Sequence, residues 1–275
     1  MGEGVEAVYK PHLFFCFAAE TDEVVNNIQL IFLVVIVQLY LAFLGIKEKR
    51  MIKAVLIDID DTLLDFRKSA ETAIRLCFEK YGLEFNSNVI KTFHTINDEL
   101  WRKIERKEIT KQELYGLRWL TIFKELGITL DGLEMEALFR STLSGIAEPV
   151  DNAYNLLDYL YEKYPLYAAS NSSYEHQRKR MTQSDMLKYF QKMFVSENVG
   201  ALKPAKEFFD FCFGEMGNPN PDEVVIIGDS LTSDIIGGVN YGLNTIWYNP
   251  FNKELPPNLS PSYTVNDLRE IKEIL

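Results

Sequence analysis

A chain of 275 residues that is 47% hydrophobic can bury the core of one or two domains. Its formal net charge of −11 excludes non-specific attraction to nucleic acid through an overall positive field, while leaving room for a small anion held by local charge. Three cysteines (Cys16, Cys77, Cys212) and three histidines (His12, His94, His176) lie far apart, so no zinc site, disulfide framework or His-rich metal site is readable.

Residues 28–46 read IQLIFLVVIVQLYLAFLGI, without a charge and with Gln29 and Gln38 as the strongly polar positions. That length can just span a bilayer as a helix. Glu20, Asp22 and Glu23 precede it and Lys47, Lys49 and Arg50 follow. The positive-inside rule then puts everything after it in the cytoplasm. A cleavable signal peptide fits poorly, since no positive region leads into the apolar run. Two readings stay open for residues 1–50: a membrane anchor, or a stretch upstream of a start at Met51, where the globular pattern begins.

From Met51 the pattern is a strand, then helices, then alternating strands and helices. AVLIDID is a buried strand with Asp58, Asp60 and then Asp61 gathered at its C-terminal end. Adjacent carboxylates repel and burial makes each costlier to ionise, so something positive is expected beside them. Residues 66–148 read as almost wholly helical, beginning with Ala70, Ala73, Ile74, Cys77 and Phe78 at helical spacing. A second helix opens at Asn86 or Ser87 and runs through Ile96, Leu100 and Ile104, and KEITKQEL and GITLDGLEMEAL open two more. Strands follow in YPLYAAS, ending at Ser170, in KMFVS (residues 192–196), in DEVVIIGD, ending at Asp229, in NTIWYN and in SYTV. The expected fold is α/β: a Rossmann-like core with a parallel sheet from residues 51–66 and 149–275, and residues 67–148 inserted as an α-helical domain.

Ligands of such sheets bind at the carboxyl ends of the strands. Four polar clusters fall there or just ahead of a helix: Asp58 with Asp60, Ser170 with Asn171, Lys203 before Pro204, and Asp229 with Asp234. Alone, each has an ordinary explanation as a turn or a helix cap. Together and in this order they resemble the haloacid dehalogenase (HAD) superfamily, over nearly all of the chain after Met51. The first family motif matches Asp58-Ile59-Asp60-Asp61-Thr62, the second Ser170, the third Lys203, and the fourth Gly228-Asp229 with Asp234.

The resemblance implies a role for each residue. Asp58 is the nucleophile that attacks phosphorus, and its other oxygen binds Mg2+. Asp60 offers its backbone carbonyl to the metal and its side chain as acid, then base. Asp229 is a metal ligand; Asp234 is a second ligand through water, or orients Lys203. Ser170, Asn171 and Lys203 hold the phosphoryl group, and Thr62 fixes the loop that positions Asp60. Mg2+ and Lys203 offset the clustered negative charge. An aspartate at position 60 favours a phosphatase or phosphomutase over a dehalogenase, because a halide leaves without a proton.

The helical insert resembles the family's cap, which closes over the site and selects the substrate. INDELW, EITKQEL followed by Arg118, SENVGALKPAKEFFDF, and GNPNPDEVVIIGDSLTSDIIGGVNYGL with TIWYN are similar to segments of the pyrimidine 5'-nucleotidases. That implies a pyrimidine nucleoside monophosphate as substrate and no nucleic acid partner. Phe93, Trp101 and Trp119 are candidates to stack on a base, and Arg118 to reach its carbonyls or the phosphate; equally, aromatics at helical spacing form bundle cores. Open alternatives are a phosphatase of sugar or other metabolite phosphates, a phosphomutase, and an inactive, membrane-held binding module.

Overall fold

The structure is a computed structural model in which residues 32, 33, 36 and 51–275 are described. The apolar segment 28–46 lies almost wholly outside them. No helix among the described residues is long and apolar enough to cross a membrane.

Six strands, β1 (Ala54–Ile57), β2 (Leu166–Ser170), β3 (Phe190–Val195), β4 (Val224–Gly228), β5 (Asn244–Tyr248) and β6 (Tyr263–Val265), form one sheet in the order β3-β2-β1-β4-β5-β6. Every neighbouring pair is parallel. Val55, Ile57, Leu166, Ala168, Val225 and Ile227 pack on one face, and Leu56, Tyr167, Ala169, Val224 and Ile226 on the other. Both faces are apolar, which is why these strands read as unbroken hydrophobic runs. The strand β3 starts at Phe190, two residues before the expected start at Lys192. It is an edge strand, and its exposed Gln191 and Lys192 interrupt the pattern that betrays the buried ones.

Strand order reverses beside β1: the chain fills β2 and β3 to one side, then returns to lay β4 on the other. The carboxyl ends of β1 and β4 therefore flank the crevice where such sheets bind ligands. Ile57 is paired with Ile227, and the Asp58 N–H donates to Ile227 O at 2.9 Å. This register sets Asp58 beside Asp229.

Four of the five helices between β1 and β2, α1 (Phe66–Lys80), α2 (Ser87–Glu105), α3 (Lys111–Leu126) and α4 (Gly132–Leu143), form the helical insert. Their starts are written in the sequence. Asp65, Asn86 and Asp131 cap α1, α2 and α4 through their side-chain oxygens, and Thr110 with Glu113 forms a capping box on α3. The helices bury a common aromatic core of Phe78, Phe93, Trp119, Phe123 and Phe139. At Gly132 a Cβ would come within 2.6 Å of the Leu120 backbone nitrogen, so α4 can meet α3 this closely only through glycine. Helices α5 (Ala153–Tyr161) and α6 (Tyr174–Gln183) cover one face of the sheet and α7 (Lys206–Glu215) the other.

Candidate active site

The three aspartates after β1 part company. Asp58 is 7% exposed and accepts from Lys203 Nζ on Oδ1, at 2.6 Å. The Thr62 hydroxyl lies 3.4 Å from its Oδ2 and itself accepts the Asp229 N–H at 3.1 Å. Thr62 thus links the nucleophile candidate, across the 58–62 loop that carries Asp60, to the β4 loop. Asp61 has φ 59° and caps α1, accepting the N–H groups of Phe66 and Arg67. Burial, then repulsion from Asp60, pushes the Asp61 carboxyl up to about 6.

Lys203, 1% exposed, donates to Asp58, to Asp234 Oδ1 at 2.7 Å and to Ala169 O at 2.6 Å. All three ammonium protons are therefore engaged. Burial alone would lower its pKa, but Asp234 and Asp58 carry it above the ordinary lysine value. Asp234 Oδ2 accepts the Ser230 N–H, so both of its oxygens are held and it orients Lys203 directly. A Cβ on Gly228 would fall 2.3 Å from that Oδ2, so the Gly-Asp of the β4 loop needs the glycine for space.

On the other flank stands Asp60. Gln177 Nε2 donates to its Oδ2 at 2.6 Å and Arg180 Nη1 to its Oδ1 at 2.5 Å. The same Gln177 nitrogen lies 2.9 Å from Ser170 Oγ, and Arg180 Nε donates to Ile146 O. Gln177 and Arg180, both on or beside α6 and fully buried, tie the acid/base candidate to Ser170 and to the segment returning from the helical insert. Neither was legible in the sequence: HQRKRM reads as a polar surface helix. Their i, i+3 spacing on one helix face was the one signal available. Trp247 was also missed; its Nε1 donates to Asp229 O at 2.9 Å and fixes the β4 loop.

Asp58, Asp229 and Asp234 each bring a carboxylate oxygen within 4.8 Å of the other two. Burial pushes the Asp58 carboxyl up to about 8, against the pull of Lys203 and with Asp234 adding to it. Burial, then Asp61, Asp58 and Asp234, raise Asp229 well above the usual range, and Lys253, at 3.7 Å, opposes this only weakly. The protein's own cations thus leave negative charge uncompensated here. Hard oxygen donors around such a charge fit a small divalent cation.

Three sequence expectations are corrected. Arg118 is 3% exposed in the core of the helical insert, with Nε and Nη2 on the Glu136 carboxylate and Nη1 on Asn97 Oδ1. Its guanidinium lies over Phe139, 5.0 Å from the ring centroid. It holds the bundle together and is not free to reach a substrate. Phe93 and Trp119, fully buried in the same core, have no face left for a base; Trp101 is half-buried. The Asn171 side chain is engaged with the Lys203 backbone, its Oδ1 accepting the N–H and its Nδ2 donating to the C=O. It positions Lys203 and leaves only its main chain for a ligand. Arg118→Met therefore strands Glu136 as a buried charge and should cost about 3–5 kcal/mol in urea unfolding. Replacing Glu136 by Leu in the same chain should recover most of that loss.

A family model for haloacid dehalogenase-like hydrolases matches residues 52–242. The HAD-hydrolase YfnB of Bacillus subtilis is 35% identical over 81% of this chain and 95% of its own length. Its crystal structure bound to magnesium, described as revealing interdomain movement, superposes with a TM-score of 0.78, covering 82% of this chain and 99% of that one. The pyrimidine 5'-nucleotidase PynA of Streptococcus pneumoniae is 33% identical over 81% of this chain and 94% of its own. The pyrimidine 5'-nucleotidase YjjG of Escherichia coli is 28% identical over 79% and 95%.

Proposed function

Since this chain belongs to the haloacid dehalogenase-like hydrolases, we propose that it is a Mg2+-dependent phosphomonoesterase acting on pyrimidine nucleoside 5'-monophosphates through an aspartyl-phosphate on Asp58. The observation that carries this reading is the placement of Asp58 between Lys203 and Thr62, with Asp60 and Ser170 joined through one Gln177 nitrogen. Nucleophile, acid/base and phosphoryl grip then line one crevice.

Asp58 attacks phosphorus, with Lys203 and Thr62 fixing the direction of its carboxylate. Ser170 Oγ, which accepts the Ser172 N–H at 3.2 Å, would turn its hydroxyl proton to a phosphoryl oxygen. The ester bond breaks and Asp60 gives its proton to the leaving oxygen. Asp60 then takes a proton from water, which attacks phosphorus and frees Asp58 and inorganic phosphate. Asp58, the Asp60 carbonyl, Asp229 and, through water, Asp234 would hold Mg2+. When bound, the ion supplies the positive charge that lets a carboxylate approach a phosphate dianion.

Residues 67–148 act as the cap; the YfnB structure is described as revealing interdomain movement, and movement of cap against core here would admit substrate. The pyrimidine preference rests on the segment resemblances and on the names of PynA and YjjG. Because Arg118, Phe93 and Trp119 are committed to the cap core, the base must be read by other residues at the cap–core boundary. The test is phosphate release by the purified chain from UMP, dUMP, dTMP, AMP, glucose 6-phosphate and p-nitrophenyl phosphate. We expect dUMP or dTMP to have the highest kcat/KM, and EDTA to abolish turnover reversibly. A clear preference for the sugar phosphate would overturn the nucleotidase reading while keeping the phosphatase; no release from any ester would leave an inactive binding module.

A further inference from the structure

The tip of the α2–α3 hairpin rests on the loops that build the site. Ile104, Ile109 and Leu114 pack with Leu202, the neighbour of Lys203. Burial raises the Glu105 carboxyl, and Thr232, in the loop that carries Asp229 and Asp234, opposes that rise. Lys111, the first residue of α3, makes the third contact. Its Nζ donates to Asn171 O at 3.0 Å, to Ser172 O at 2.9 Å and to Ser196 Oγ at 2.9 Å.

These acceptors are all neutral. Among the described residues no carboxylate stands within ion-pair distance of Lys111; the nearby Glu197 caps α6 through the Tyr174 N–H. Burial pulls the Lys111 pKa below its ordinary value, only partly offset by Glu197. A half-buried ammonium without a counter-charge is costly, and a surface lysine avoids that by turning to water. Here it turns inward, onto the main chain of the loop that follows Ser170.

The geometry of the peptide says what this accomplishes. The one cis peptide among the described residues is Lys203–Pro204, so the 171–172 and 172–173 bonds are trans. In a trans peptide C=O and N–H point in opposite directions. Two carbonyls drawn to one ammonium therefore turn the N–H groups of Ser172 and Ser173 away from it. That of Ser172 donates to Oγ of Ser170, the residue read above as the phosphoryl grip. Successive N–H groups turned to one side form an anion-binding concavity.

We propose that Lys111 is a positioning residue: the cap uses it to set the Ser170–Ser173 loop in its phosphoryl-binding conformation, so that the grip on the anion is complete only while the hairpin tip is seated. Its three protons are engaged with protein, so it acts through the loop's main chain and through its unneutralised charge. It does not touch the leaving group. The inference rests on the phosphatase reading of the site.

Inhibition of the full chain by inorganic phosphate and orthovanadate, with p-nitrophenyl phosphate and dUMP as substrates, tests it. Lys111→Met should weaken both anions about tenfold or more, the worth of a hydrogen bond to a charged group. It should lower kcat/KM by the same factor for the two substrates, because the phosphoryl group is what they share. Lys111→Arg, which keeps the charge but not three convergent donors, should recover part of the anion affinity. Ser196→Ala should weaken it in the same direction by a smaller factor. A loss confined to dUMP would place Lys111 on the leaving group and overturn the proposal, as would unchanged inhibition constants in an active Lys111→Met enzyme. A parent chain that releases no phosphate and binds neither anion overturns the reading of the site, and this inference with it.

Discussion

Asp58→Asn leaves no measurable turnover of any phosphomonoester, a fall on the order of 10⁶-fold, as removal of a nucleophile produces elsewhere. The amide is nearly isosteric but cannot form the aspartyl-phosphate. The fold survives the change. Lys203 keeps Asp234 and Ala169 O as partners, and the like-charge repulsion that Asp58 shares with Asp234 and Asp60 is removed. Thermal unfolding should therefore show a Tm close to the parent's or higher, which separates lost chemistry from lost structure. Phosphate release at the parent rate would end the aspartyl-phosphate mechanism.

Asp60→Asn gives the second large effect, and its size depends on the leaving group. General acid–base help is worth roughly 10²–10⁴-fold, and an alkoxide needs the proton far more than a nitrophenolate does. The loss in kcat/KM should approach the top of that range on dUMP and the bottom on p-nitrophenyl phosphate. A slow second step, where Asp60 serves as base, would depress kcat on both, so single-turnover and steady-state rates are measured together. Equal losses on both substrates in single turnover would remove the acid role. Gln177→Leu frees one Asp60 oxygen and releases Ser170 Oγ at once, so it should show a weaker version of the same split together with a raised KM.

Sequence alone determined most of the strands, the helix starts and the residues that the fold gathers at the candidate site. Those features are local: an apolar run closed by carboxylates after β1, a serine ending β2, a lysine ahead of a helix, Gly-Asp after β4, and Asp65, Asn86, Thr110 and Asp131 ahead of their helices. The resemblance that joined them needed only their order along the chain. Tertiary structure decided which charged groups meet, because those meetings are long-range. Lys203 and Asp58 are 145 residues apart, and Arg180 and Asp60 are 120 apart. The same distance explains the errors. Arg118 looked available because nothing near it in sequence could neutralise it; Glu136, on the facing helix α4, does so. Lys111 drew no reading from the sequence; the hairpin tip brings its ammonium onto the loop after Ser170. Spacing along a chain fixes which residues share a face. What a buried charge finds opposite it depends on how the elements pack, because a charge held out of water requires partners that only the packed neighbours supply.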